Sequence, residues 1–248
     1  MNISKILLQN PIPLYTIISR EKGKNPNCYF IDEPEFTPYE TENFIANVAQ
    51  GGSVNCEYIR FCAHGNGTHT ECFGHVSKSF YSIQNVKIPF LMLAQLITIE
   101  HEETSTQYPI HYLPIQKIKN GVPALIVRVE YDLQYKIKYN FDGKNFSGKN
   151  PPFFTKSLIQ RLKAIGIQHL LTNLPSIDPE KDDGKLEAHL AFWGMQNRES
   201  IPLYPNDTIT ELCQIPDTLE DGLYALHLGL SPFESDAVPS MPVLFNLD

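Results

Sequence analysis

The sequence has no run of lysine or arginine, a single tryptophan, and no apolar stretch long enough to cross a bilayer. Without a basic patch there is no electrostatic footprint for a phosphate backbone or an anionic membrane surface, and the formal charge of −8 points the same way. Nucleic acid and membrane are therefore not expected partners. The longest apolar stretch, Ile88 to Ile99, is broken by Gln95 and falls short of the ~20 residues that a spanning helix needs. The first residues, MNISKILLQNPIP, lack the apolar core and small-residue cleavage site of a secretory signal, so a cytoplasmic location is expected. The five cysteines, Cys28, Cys56, Cys62, Cys72 and Cys213, include no CxxC pair, which argues against a disulfide framework or a thiolate zinc site.

What remains is an ordinary globular composition over 248 residues, 42% apolar and 19% charged, enough for a sizeable core. No internal repeat or proline-rich linker divides it, so one domain over residues 1–248 is expected. Short apolar and β-branched runs bounded by Gly, Pro or Asn predict strands at 15–19, 54–63, 93–99, 124–131 and 168–174, with another inside 223–230. Two segments carry the helical period. Leu158, Ile159, Leu162 and Ile165 share a face after Thr155, a capping residue, and Gly166 ends the pattern. Leu186, His189, Leu190 and Trp193 recur at helical spacing before Gly194, with Asp182 or Asp183 placed to cap. Most strands fall outside these helices, which predicts a mixed α/β domain rather than a regular βαβ repeat. Residues 36–52 are polar, rich in turn formers and aperiodic, either a surface hairpin or a lid.

The chemistry concentrates in CAHGNGTHTECFGH, residues 62–75, which holds three of the eight histidines, one carboxylate and three glycines. In an extended chain residues i and i+2 share a face, so His69 and Glu71 project together while Thr70 and Cys72 point away. Imidazole and carboxylate aimed at one point are the ligand types of a borderline divalent ion. His64 has the wrong parity for a regular strand, but Gly65, Asn66 and Gly67 tolerate a bulge or turn that would restore a shared face. His75 follows Gly74, where a turn can swing it back. Isolated histidines are more often satisfied core or surface residues, the reading given to His101, His111, His169 and His227. Downstream, His189 lies on the apolar side of its helix, with Glu187 pointing outward, and a buried imidazole needs a partner. Glu211, among Ile209, Leu212 and Cys213, is either an exposed strand-edge residue or a buried carboxylate that must be paired or bound to an ion.

At these residues the chain resembles the metal-dependent cyclase-like hydrolases, which include kynurenine formamidase and isatin hydrolase. Their fingerprint HxGTHxDxPxH is matched by GNGTHTECFGH at Gly67, Thr68, His69 and His75. LLTNLPSIDPEKDDGKLEAHLAFWG is similar to their SxDP turn and histidine-bearing helix at Ser176, Asp178, Pro179 and His189, and TITEL to their Glu-containing strand at Glu211. The resemblance implies a cyclase-like fold of the swivelling β/β/α type. It further implies one or two divalent ions, Zn²⁺ or Mn²⁺, held by His64, His69, Glu71, His189 and Glu211, with His75 as the proton-transfer residue. The expected activity is hydrolysis of an amide, formamide, lactam or ester in a small-molecule substrate, and the expected assembly is a homodimer or higher homo-oligomer. Thr68 and Asn66 are candidates to orient ligands or substrate, and Phe73, Phe192 and Trp193 either line an apolar pocket or pack in the core.

Three departures stand out. The family's first histidine falls on Gly65, with His64 one position early; its aspartate is Glu71; and its proline is Phe73. They motivate a competing reading, a degenerate member that binds a small ligand or one metal without turnover. A cysteine hydrolase using Cys72 with His75 is a third reading, weakened by the opposite strand parity of Cys72.

Overall fold

The protein is described from a computed structural model, which covers residues 6–101, 108–131 and 143–247. Eight strands make the main sheet: β1 (Ile6–Pro13), β2 (His69–Glu71), β3 (Met92–His101), β4 (Ala124–Tyr131), β5 (His169–Thr172), β6 (Thr208–Glu211), β7 (Gly222–Leu230) and β8 (Ala237–Leu247). Their order is β1-β8-β7-β3-β4-β5-β6-β2, and β2 pairs back onto β8, so seven strands close into a mixed barrel with β1 added outside the ring. β3, β4, β5 and β6 run parallel to their neighbours in that series, and the remaining pairings are antiparallel. This is the mixed α/β architecture that the pattern of strands and helices predicts.

The pleat sorts the strands' side chains into two layers. On β4, Ala124 and Ile126 join Met92, Leu96, Leu171, Leu226 and Leu244 in one buried cluster, while Leu125, Val127 and Val129 join the helices in the other. Two helices cover this second face. In α2 (Lys156–Ala164) Leu158, Ile159 and Leu162 are buried, and the Thr155 hydroxyl accepts from Leu158 N as the sequence predicts. In α3 (Glu187–Phe192) the buried side is Ala188, His189 and Phe192, with Glu187 exposed.

Several expectations are corrected. Residues 15–19 form no strand; the N-terminal strand is β1, and Thr16 is instead engaged by Thr68. Of 54–63 only Glu57–Arg60 is a strand, an exposed one paired with Glu35–Pro38. Together with the Glu40–Thr41 and Phe44–Ile45 pair, this makes the 36–52 region a surface hairpin. β8 was hidden by Pro239 and Pro242, which cannot donate to a ladder. Neither is asked to: their carbonyls accept from Ser231 N and Leu14 N. Asp182 and Asp183 do not cap α3. Asp182 closes the preceding turn on Gly184 N and Leu186 N, and Leu186 itself adopts a left-handed φ of 48°.

Candidate metal centre

The site lies on the helix-covered face, where β2 and β6 meet α3. The ladder sets Leu125, Leu170, Ile209 and Glu71 in one row across four strands, so Glu71 continues a line of core residues. His69, two residues earlier and on the same face, stands opposite Glu211. The other parity goes to the barrel interior, where the Thr70 hydroxyl meets Thr210 Oγ1 and Ser240 Oγ, each at 2.8 Å.

Local chemistry fixes each side chain. His64 rides on a single helical turn, α1 (Ala63–Asn66), clamped by the buried Asn66, whose Oδ1 accepts from Cys62 N and whose amide donates to Asp32 O. This turn is the irregularity that brings His64 onto the face of His69 and Glu71. A Cβ on Gly65 would lie 2.6 Å from Ile31 Cδ1 and 3.2 Å from Cys28 O, so a side chain at the fingerprint's first histidine position is crowded and Ile31 would have to move. A Cβ on Gly67 would lie 2.7 Å from Thr16 Oγ1. That close approach lets Thr68 and Thr16 exchange hydrogen bonds, while Thr68 Oγ1 donates to Leu212 O at 2.6 Å and ties β2 to the end of β6. Thr68 and Asn66 thus hold the frame of the site. On α3, the Asp178 carboxylate accepts from Ala188 N at 2.8 Å and His189 N at 2.9 Å, which makes it the true cap, and from His189 Nδ1 at 2.6 Å.

The six residues singled out by sequence come together. His189 Nε2 is 3.0 Å from Glu71 Oε1 and 3.6 Å from Glu211 Oε1; His64 Nδ1 is 3.3 Å from Glu71 Oε2; His69 Nε2 is 3.4 Å from Glu211 Oε2. His75 Nε2 lies 3.8 Å from Glu71 Oε2. His69, Glu71, His189 and Glu211 are buried, which decides against an exposed edge position for Glu211. Asp236 is the residue that sequence reasoning missed. It touches His64 and His75 from the loop before β8, 172 positions from His64, and no motif marks it.

The electrostatics are those of a site built around positive charge. Burial, the largest effect, pushes Glu71 and Glu211 up. The surrounding imidazoles outweigh it and hold both carboxylates below their ordinary range, although Glu71 itself pushes Glu211 up. Burial likewise pushes His64 and His189 down. Asp236 and Glu71 raise His64 to about 10 all the same, and Glu71, Asp178 and Glu211 raise His189 well above the usual imidazole value.

The donor set passes a test of fit for a cation. His69 Nε2, His189 Nε2 and both Glu71 oxygens are buried with no hydrogen-bond partner, even though they lie within ion-pair distance of one another. Their separations are short but the angles are wrong for N–H···O bonds, so the lone pairs converge on common space. Donor atoms about 2.0–2.2 Å from one ion sit roughly 3.0–3.5 Å apart, the spacing found here. Each inward nitrogen also has its opposite ring nitrogen held: His69 Nδ1 by Gly67 O at 3.0 Å, His189 Nδ1 by Asp178, and His64 Nε2 by Asp236. An outer acceptor keeps a proton on the outer nitrogen, so the inward nitrogen is the one that yields to an arriving ion, as metal-ligating histidines require.

Comparison with known proteins identifies the family. The family model named Cyclase matches residues 8–179. The chain belongs to the cyclase family. That match contains His64, His69, Glu71, His75 and Asp178, whereas His189, Glu211 and Asp236 come from beyond it. Among solved structures, a potential metal-dependent hydrolase with cyclase activity superposes with a TM-score of 0.64 at 12% identity, over 96% of this chain and 98% of that one. A predicted metal-dependent hydrolase from Bacillus stearothermophilus gives 0.62 at 14% identity, over 95% and 98%. Isatin hydrolase A from Ralstonia solanacearum gives 0.62 at 12% identity, over 95% and 91%. At these identities the likeness shows the cyclase-type fold. No curated protein matches by sequence.

Two alternatives left open by the sequence are decided. Phe73, Phe192 and Trp193 are core residues rather than pocket walls, with Trp193 Nε1 donating to Asp207 O. Cys72 is fully buried, its Sγ directed to Tyr81 O, and burial pushes its thiol up to about 12, so it is no nucleophile. Among the described residues no helix is long and apolar enough to cross a membrane.

Proposed function

We propose that this cyclase-family chain is a metal-dependent hydrolase that cleaves an amide, formamide, lactam or ester bond of a small molecule. The observation that carries the proposal is the set of buried, unpartnered nitrogen and oxygen atoms of His69, Glu71 and His189 converging on one space. His64, His69, Glu71, His189 and Glu211 would hold one or two divalent ions. The reading of two is supported by the carboxylates: Glu71 turns Oε2 to His64 and Oε1 to His189, and Glu211 turns Oε2 to His69 and Oε1 to His189. A set of imidazoles and carboxylates without thiolate suits Zn²⁺ or Mn²⁺. When bound, such an ion makes water nucleophilic near neutral pH and polarises the carbonyl under attack.

The chain's own residues do the rest. His64, His75 and Asp236 are the part-exposed members, with 23%, 25% and 32% of their side-chain surface accessible, so this is the open side by which a substrate enters. His75 stands at that mouth with Nε2 turned toward Glu71. There it accepts the proton of the attacking water at Nε2 and returns it to the departing nitrogen or oxygen. The buried walls of His69, His189 and Glu211 exclude bulk water from the far side, which strengthens every interaction with developing charge. The assembly proposed, on the resemblance alone, is a homodimer or larger; a sedimentation profile of a lone monomer at micromolar concentration would refute it.

The test is elemental analysis of the purified protein, followed by a panel of N-formyl anilines, lactams, esters and isatin with Zn²⁺- and Mn²⁺-loaded enzyme. Isatin is included because an isatin hydrolase shares the fold. Expected are one or two ions per chain and hydrolysis abolished by chelator and by His69→Ala. An ion-loaded protein that binds panel members but turns none over would overturn the proposal in favour of a binding-only member of the family.

A further inference from the structure

Asp236 lies outside every motif, yet it meets two of the site's histidines. Its Oδ2 is 3.0 Å from His64 Nε2 and 3.4 Å from His75 Nδ1, and its Oδ1 accepts from Ser235 Oγ at 3.1 Å. The two rings it touches stand nearly stacked, centroids 4.3 Å apart and planes inclined by 31°. The carboxylate is held in place by the fold. Asp236 O accepts from Cys72 N at 3.0 Å, and the next residue, Ala237, pairs with Glu71 across the β8–β2 ladder. Gly74 makes the approach possible, since a Cβ there would lie 2.1 Å from Tyr81 O and 3.3 Å from Asp236 Cβ. A side chain at 74 would push away the turn that carries His75.

The displaced histidine explains why this carboxylate is needed. Ile31 and Cys28 crowd position 65, and the imidazole arrives instead from position 64, on a helical turn, and shows Nδ1 to Glu71. Its outer nitrogen is then Nε2, at the exposed mouth, where among the described residues no backbone carbonyl serves it as Gly67 O serves His69. Asp236 receives that N–H. The same oxygen meets Nδ1 of His75 and so turns Nε2 of that ring inward.

We propose that Asp236 is a positioning residue that completes the site around the displaced His64, one carboxylate oxygen setting the orientation of both His64 and His75. It stands to His64 as Asp178 stands to His189, a carboxylate behind an inward-facing imidazole. The inference rests on the metal-site reading above.

The test uses Co²⁺ as the probe and the isosteric Asp236→Asn variant of the full chain, with His64→Ala and the double variant beside it. Asp236→Asn keeps the circular dichroism of the parent and loses about 10–100-fold in affinity for one Co²⁺, with an altered visible spectrum. The double variant is no weaker than His64→Ala alone, because the carboxylate acts through the ring. In metal-free protein, long-range ¹H–¹⁵N spectra show the ring signals of His64 and His75 moving on Asp236→Asn while those of His69 and His189 stay. Parental Co²⁺ affinity together with unmoved His64 and His75 signals would overturn the proposal. So would losses that multiply in the double variant, which would make Asp236 an independent ligand. If the parent chain binds no Co²⁺, the metal-site reading fails, and the metal-free ring signals still decide whether Asp236 orients the two histidines.

Discussion

Asp178 offers the sharpest separation between a structural and a functional role, because one carboxylate serves both. It caps α3 through Ala188 N and His189 N and holds His189 Nδ1 at 2.6 Å, with 4% of its surface exposed. Burial, the largest effect, pushes its pKa up, but the His189 ring and the two helix N–H groups outweigh this and hold it below the ordinary carboxylate value. Asp178→Asn keeps the shape and replaces one accepting oxygen with an NH₂ that cannot accept from an N–H. The weakened cap and lost charge-assisted bonds cost about 2 kcal/mol together. For a domain of this size that lowers Tm by roughly 4–8 °C. The second effect is on the ring. With the NH₂ turned to Ala188 N and a neutral oxygen left facing His189, the ring loses the charge that holds its Nδ1 proton and sets its inward nitrogen. Loss of such a partner weakens metal affinity by about 10–100-fold, or about 1.4–2.7 kcal/mol. Thermal melts of metal-free protein read the first term, and Zn²⁺ competition against a chromophoric chelator reads the second. A variant that melts early but binds Zn²⁺ within twofold of the parent would refute the reasoning, because His189 would then be a core residue with a good cap.

Four further outcomes follow from the same geometry. In the metal-free protein Asp236 and Glu71 raise His64 to about 10, so ion binding must displace its proton; apparent Zn²⁺ affinity should rise with pH, by up to about tenfold per unit per proton released, and calorimetry in buffers of different ionisation enthalpy should count the protons. Without metal, the raised His64 value stabilises the fold fully below the ordinary 6.5 and that contribution is lost as pH climbs to about 10, so metal-free Tm should fall across that range more steeply than in His64→Gln. Restoring the fingerprint order with His64→Gly and Gly65→His should harm the site, since even a Cβ at 65 lies 2.6 Å from Ile31 Cδ1; overpacking of about 1–3 kcal/mol is expected in the melt, and a variant as stable as the parent with equal Zn²⁺ affinity would contradict the packing argument. Cys72→Ser should cost on the order of 1 kcal/mol in stability and leave hydrolysis of any panel substrate within about twofold, while a loss beyond tenfold would revive the thiol as a participant.

The local elements were legible in the sequence because their physics is local. The apolar, β-branched run along 124–131 and the Thr155-capped stripe of Leu158, Ile159 and Leu162 reflect strand preference and the 3.6-residue turn, which any short window displays. The two-residue pleat put His69 and Glu71 on one side and Thr70 on the other. β8 escaped notice because Pro239 and Pro242 break the pattern, and their tolerance depends on which neighbours ask for a donor. The placement of the cap on Asp178 rather than Asp182 depended on a turn that no periodicity encodes.

The sequence by itself determined which groups are available: an extended pair of ligand-type residues, a glycine-softened turn carrying another imidazole, and a helix with a histidine on its apolar side. Only the tertiary structure decided that they meet. Barrel closure inserts the three-residue β2 between β6 and β8, which sets Glu211 against His69 on one edge and brings Asp236 beside Glu71 on the other. The physical reason is range: pleat and helix period are set by neighbours a few bonds away, whereas the 172-residue gap between His64 and Asp236 closes only when long-range strand pairing does.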